Sequence, residues 1–314
     1  MLDTQINHIL NEVNFNIAIQ EIPTVPSDQY RKIVRTDTDA FLGMCKTRYK
    51  PISHMDAFGG ALKSMSKGGL DFSDAEFNIK SYDLGAMAKM EIVFPNYKEM
   101  VGNQELKLKY VARNSYNGLW KFQAFFGWLN TVCHNTLVSG QQLAYQANRH
   151  TKLFDINASN EKIFNAVKAV QGEAQSYKDW WYTEVKDDDV AQLFTETLCK
   201  KDYKSAQYMG DDKETNKKQL GILMNEYNKE KIQIHGKGAY TKGNVKGSLW
   251  CAFQSATYWS THVNKTMTKE NYREHIIQNK RQSSVKSMLK SKQWRYLESG
   301  TSLGGKSDNT IYNQ

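Results

Sequence analysis

Proline is scarce in this chain. Four occur in 314 residues, and three of them (Pro23, Pro26 and Pro51) fall in the first sixth. Long apolar runs are missing as well: none approaches the ~20 residues that a membrane-crossing helix needs, so no membrane partner is expected. The opening MLDTQINHIL has an early Asp and no basic stretch, and so does not read as a secretory signal. Cysteine is sparse and scattered. Cys45, Cys133, Cys199 and Cys251 form no CxxC pair, which argues against zinc ribbons and disulfide frameworks. They are expected to be reduced thiols, buried as small hydrophobes, in a cytoplasmic protein.

Catalytic signatures are also missing. GKGAYTKGNVKGS contains Gly and Lys but not GxxxxGK[ST], and no strand runs directly into it, which excludes a phosphate-binding P-loop. The seven His contain no HExxH and no i, i+4 pair. Cys133 and His134 are adjacent, and neighbours on a helix face apart, so a nucleophile–base dyad is disfavoured. Asp187–Asp189 resembles a carboxylate cluster, but three consecutive Asp read better as a solvated helix N-terminus facing the helix dipole. The expectation is no metal, no cofactor and no enzymatic activity.

What is present is enough for a packed core: 40% hydrophobic and 12% aromatic residues. The formal net charge is +9, and its placement says more than its size. Residues 231–314 hold 14 Lys and Arg against four Asp and Glu, so the rest of the chain is close to neutral. A block of this kind suits a phosphate backbone, where each neutralised phosphate releases counterions. It also suits a plain solvated face.

Three segments are expected: residues 1–29 as an N-terminal segment and linker, 30–265 as a core domain, and 266–314 as a basic tail, helical and then flexible. Tyr30–Arg35 and Ala40–Cys45 read as a strand pair about the turn Thr36–Asp39, and Ser53–Met65 as a helix capped near its start by Ser53 or Asp56. Ala88–Asn96 reads as a strand. In Gln104–Ser115, Leu106, Leu108, Tyr110 and Ala112 alternate with Lys107, Lys109, Val111 and Arg113, the period of a strand. Tyr116-Asn117-Gly118 supplies a hairpin turn, with Leu119–Trp128 returning. From about Asn130 the spacing turns helical. KDDDV and MGDDKET divide 159–231 into about three helices, and Ser248 caps an aromatic helix. The fold class is therefore α+β: an antiparallel meander packed against helices, with a long helical C-terminal half.

Single-strand binders combine a basic groove with aromatic stacking platforms. Lys107, Lys109 and Arg113 share one strand face and could hold phosphates. Lys237, Lys242 and Lys246 on the Gly/Lys-rich loop offer a second contact, and Tyr116 and Trp120 could stack bases. The competing reading of the aromatics is core packing.

YKPISHMDAF, YVARNSYNGLWKFQAFFGWLNTVCHNTLV and SLWCAFQSATYWSTHV together resemble a phage- and plasmid-encoded family, the domain of unknown function 932. The matching pieces are Tyr49-Lys50-Pro51, Asn114 to Gly118, Val132 to Leu137, and Tyr258 to His262, with Asn148 to Thr151. Thr136 departs from the Gly more usual in that family. The resemblance implies a phage, prophage or plasmid source in an infected bacterial cell, and little chemistry. A meander followed directly by a helix also looks like the β-β-β-α core of single-strand annealing recombinases, by fold analogy alone. The expectation is a single-stranded DNA-binding or annealing protein of recombination, replication or repair, with self-assembly into homo-oligomers left open. The alternative is a host-interaction or structural accessory protein without nucleic-acid binding.

Overall fold

The computed structural model describes residues 2–23, 25–26, 29–46, 49–130, 136–138, 146–148, 156–199, 213–235, 246–262 and 271–303. The fold is α+β, with antiparallel sheets and with helices concentrated in the C-terminal half. The chain divides into two compact units. The first comprises Met1–Glu99, Leu106–Leu129 and Gln141–Glu173. The second comprises Met100–Glu105, Asn130–Gly140 and Ala174–Gln314.

The first unit opens with α1 (Leu2–Ile9) and a 3-10 turn, followed by β1 (Ile17–Glu21), β2 (Arg31–Arg35) and β3 (Phe41–Cys45), which form an antiparallel sheet in the order β1-β2-β3. Ile6, Leu10, Val13 and Phe15 are buried. Helix α1, the 3-10 turn and Phe15 just ahead of β1 thus contribute buried side chains to this unit. Helix α2 (His54–Lys67) begins where expected: the Ser53 hydroxyl accepts from the Asp56 amide at 2.8 Å, which satisfies an otherwise orphan helix N–H. Ala57, Phe58, Ala61, Leu62 and Met65 recur at helical spacing and are buried.

The larger sheet runs β4 (Glu76–Tyr82), β5 (Met87–Val101), β6 (Gln104–Ser115) and β7 (Phe122–Asn130) in sequence order. In β5, Ala88, Met90, Ile92 and Phe94 are buried while Lys89, Glu91 and Val93 between them are partly exposed, the period-two pattern of a sheet with one core face. Among the described residues from Asn130 to Asn148, strand stands where the spacing led to an expectation of helix. β7 runs on to Asn130, and two short strands follow, β8 (Thr136–Val138) and β9 (Gln146–Asn148). β9 pairs antiparallel with β7, Phe122 opposite Asn148. Among the described residues, the first helix after the meander is α3 (Ile156–Tyr182).

In the second unit α3 ends, β10 (Glu184–Val185) pairs with β11 (Gly247–Ser248), and the helices are α4 (Asp187–Thr197), α5 (Lys213–His235), α6 (Leu249–Thr261), α7 (Asn271–Leu289) and α8 (Lys292–Glu298). α6 is the centre. It is buried around nearly its whole circumference and packs on α5 and α7. Ser248 caps it, accepting from the Cys251 amide. Tyr177, Trp180, Trp250, Phe253 and Trp294 build an aromatic cluster, with Trp180 5.0 Å from both Phe253 and Trp294. The Trp180 indole donates to Glu298 at 2.7 Å, which fastens α8. At the β5–β6 turn, Gly102 has φ 57°, and a Cβ there would overlap the Trp181 ring, so only glycine fits.

Two expectations change here. Asp189 is not solvated: it is buried and accepts from the Ser302 hydroxyl and the Leu303 amide at 2.9–3.0 Å. Residues 271–303 pack within the second unit instead of forming a separate tail. Among the described residues, no helix is long and apolar enough to cross a membrane.

Candidate nucleic-acid interface

The alternation of β6 places Lys107, Lys109 and Arg113 opposite the face bearing Leu106, Leu108, Tyr110 and Ala112. That face is not an open cationic platform. Arg113 is buried and Lys107 half-buried. Lys109 bonds Glu91 at 2.8 Å, and Lys89 from β5 reaches the same carboxylate at 3.0 Å. Burial pushes the Glu91 carboxyl upward, but attraction to Lys89 and Lys109 outweighs it and holds the group down to about 2. Burial lowers the Lys89 pKa despite Glu91, and Arg113 and Lys109 push the same way. Two lysines thus share one carboxylate in a half-buried network, and a phosphate would have to displace Glu91 to use it.

Tyr116 and Trp120 are core residues rather than stacking platforms, a correction to the expectation from sequence. Tyr116 is fully buried, its ring 4.3 Å from that of His54 and its hydroxyl accepting from the His54 amide at 3.0 Å. Trp120 is 3% exposed and meets Tyr82 edge-on. The reason is the turn. β6 ends at Ser115 and β7 starts at Phe122, so the connection is longer than a tight Asn-Gly hairpin. The Ser115 hydroxyl accepts from the Trp120 amide and donates to its carbonyl, which folds the loop's aromatics back onto the core.

The same region joins two stretches that are far apart in sequence. The Tyr49 hydroxyl donates to the Ser115 carbonyl at 3.0 Å, and the Asn114 amide donates to the Ile52 carbonyl and to His54. The Tyr49-Lys50-Pro51 and Asn114–Gly118 segments are therefore clasped around one buried imidazole. That arrangement is structural, because each His54 ring nitrogen is already engaged.

On the Gly/Lys-rich loop, Lys237 and Lys242 lie outside the described residues. Lys246 is exposed and pairs with Glu184 at 2.7 Å, an arrangement that water screens heavily.

The clearest cationic surface is one that strand and loop patterns do not reveal. On α7 and α8, Lys280, Lys290, Lys292 and Arg295 are exposed, and Tyr296 beside them is 53% exposed. Among the described residues, none of the four cations joins a carboxylate. Lys280, Ser283 and Ser287 fall on one side of α7, with Lys290 directly after its end, opposite the buried Val285 and Met288. The signal was there in KRQSSVKSMLKSKQWR, as Lys and Ser recurring at intervals of three and four.

The second unit also holds a buried polar network. Gln104 Oε1 accepts from Asn130 at 2.7 Å and from the Trp250 indole at 3.0 Å. Glu230 joins through Gln104. Burial lifts its carboxyl to about 7, only partly offset by that hydrogen bond. Lys231 is buried beside it and pairs with Asp187 at 2.7 Å. Burial raises the thiols of Cys45, Cys199 and Cys251, the latter two to about 11, which keeps them from nucleophilic thiolate form. Among the described residues, no group of three or more His, Cys, Asp or Glu is placed to hold a metal ion.

Residues 41–285 match the model of a family described as a domain of unknown function (DUF932). No curated protein and no solved structure matches the chain.

Proposed function

The chain belongs to the DUF932 family, whose description assigns no activity, and we propose from its own surfaces that it is a non-catalytic protein that binds single-stranded nucleic acid along α7 and α8. One observation carries this reading: Lys280, Lys290, Lys292 and Arg295 face solvent without a carboxylate partner among the described residues. Lys290 directly follows α7, which places it ~15 Å from Lys280 along the helix axis. Ser283 between them adds a neutral hydroxyl, while the Ser287 hydroxyl donates to the Ser283 carbonyl at 3.1 Å. Such contacts address phosphates and leave base edges free, so they are sequence-independent. The proposed setting is recombination, replication or repair in the cytoplasm of a cell carrying a phage or plasmid.

Titration of a labelled oligothymidylate with the full chain at several salt concentrations tests it. Binding that weakens steeply from about 50 to about 200 mM salt is expected, because each phosphate contact releases counterion. No binding at the lowest salt, or a flat salt dependence, overturns the reading.

A further inference from the structure

One face of the three-stranded sheet of the first unit exposes Phe41 and Met44 beside the half-buried Lys32, with Val34 buried between them. Direct cross-strand partners share a face, so the register puts Ala18, Val34 and Phe41 in one row and Gln20, Lys32 and Met44 in the next. Phe41 is 57% exposed and Met44 53%. In a regular strand, residues three apart point to opposite faces. Here the register shifts between Ile33 and Val34, with Ile33 opposite Gly43 and Val34 opposite Phe41, so Leu42 is the extra residue of a bulge. The bulge resets the alternation. Leu42 and Cys45 both enter the core, and Phe41 and Met44 both come out.

The outward rows contain one cation, Lys32, and no carboxylate. Asp39 is exposed in the turn just before β3, and the other acids lie off these rows. Glu21 aligns with Arg31 on the opposite face, and Asp37 holds Arg35 through two hydrogen bonds of 2.7 and 2.9 Å. One residue beyond β3, Lys46 is exposed and lies over the Tyr30 ring. An exposed ring and thioether beside a lysine, in strand rows that carry no carboxylate, suit an unpaired base whose phosphate lies against the cation.

We propose that Phe41, backed by Met44 and Lys32, is a base-stacking platform for single-stranded nucleic acid. This rests on the single-strand reading above and adds to it a contact on a separate unit, of a different chemistry. Stacking is not an ionic contact, so it contributes affinity without adding to the salt slope. It also requires a base free of a partner, so duplex DNA does not use it.

The test is binding of oligothymidylate and of a blunt duplex by the full chain and by Phe41→Ala, Phe41→Tyr and Lys290→Ala/Lys292→Ala. Phe41 is exposed, so its replacement leaves the fold in place, which circular dichroism verifies. Phe41→Ala is expected to weaken oligothymidylate binding about tenfold with the salt slope and duplex affinity unchanged, and Phe41→Tyr to retain binding. If the parent chain binds and Phe41→Ala binds equally well, the platform is wrong while the α7–α8 reading stands. If the parent chain binds no oligonucleotide, both fall. If Phe41→Ala instead abolishes a concentration-dependent dimer and leaves oligothymidylate affinity intact, the face serves self-association and the proposal is overturned.

Discussion

The Asn114 amide nitrogen lies 2.9 Å from His54 Nδ1 and 3.0 Å from the Ile52 carbonyl. The carbonyl can only accept, so the atom facing it is the amide donor. His54 Nε2 lies 2.9 Å from the Gly85 carbonyl, so Nε2 carries the ring proton and Nδ1 accepts from Asn114. The imidazole is a fixed connector between α2, β6 and the β4–β5 corner. Asn114→Ala removes a donor and leaves two buried acceptors wanting, at an expected cost of about 2–3 kcal/mol in urea denaturation. Tyr116→Phe strips only the acceptor of the His54 amide and is expected to cost about 1–2 kcal/mol. Equal stability of both variants with the parent chain would remove the connector role.

Glu230 gives the second unit a pH dependence opposite to that of an ordinary surface carboxylate. Its folded pKa is raised from 4.5 to about 7, chiefly by burial. Such a group contributes stability that is fully present below the unfolded value of 4.5 and is lost as pH rises through about 7. Glu230→Gln keeps an acceptor for Gln104 and cannot ionise. At pH 8 it is expected to be more stable than the parent by roughly 3 kcal/mol, and near pH 4 by little or nothing. The difference between the two denaturation curves, followed across pH, isolates this group. A difference that stays constant with pH contradicts the assignment.

The elements with strict periodicity were legible in sequence, and the surfaces were not. Alternation along β6 and the cap at Ser53 depend on local spacing, and both hold in the fold. Which face of β6 stays wet depends on Glu91 of a neighbouring strand, a cross-strand partner that spacing within β6 cannot supply. Tyr116 and Trp120 look like turn residues until the Ser115 hydroxyl is seen holding the longer loop against the core. The strands after Asn130 were missed because three-residue strands are set by pairing with β7 and leave no period of their own. The basic C-terminal quarter was legible as a charge count. Its exposed members emerged only once α7 was seen to bury Val285 and Met288 and to turn its lysines out.

Glu91 behaves in the opposite sense to Glu230. Its folded pKa is held down to about 2, so it contributes stability present above pH 4.5 and lost as pH falls through about 2. Glu91→Gln leaves Lys89 and Lys109 facing each other without a counter-charge. The expected cost is about 2 kcal/mol at pH 7, reduced from the value for a fully buried pair because the side chain is 17% exposed. Adding Lys109→Met to Glu91→Gln is expected to recover part of the loss, since it removes the repulsion. Thermal melts of the two variants check this, and a double variant less stable than Glu91→Gln alone would show that Lys109 has some other role.

The two cationic surfaces make different demands on the same binding measurement. Lys109 is already neutralised by Glu91, so Lys109→Ala is expected to leave oligothymidylate affinity and its salt slope within error. Lys290, Lys292 and Arg295 face solvent with no ion pair among the described residues, so each is free to replace a counterion on a phosphate. Each Ala substitution there is expected to reduce the slope of log affinity against log salt by about 0.7, the value for one phosphate on a single strand. Arg295→Lys keeps the charge and is expected to keep the slope. The loss should be equal across base sequences, because phosphates carry no sequence information. A slope that drops with Lys109→Ala and not with the helical substitutions would move the interface to the sheet, where a phosphate must first displace Glu91.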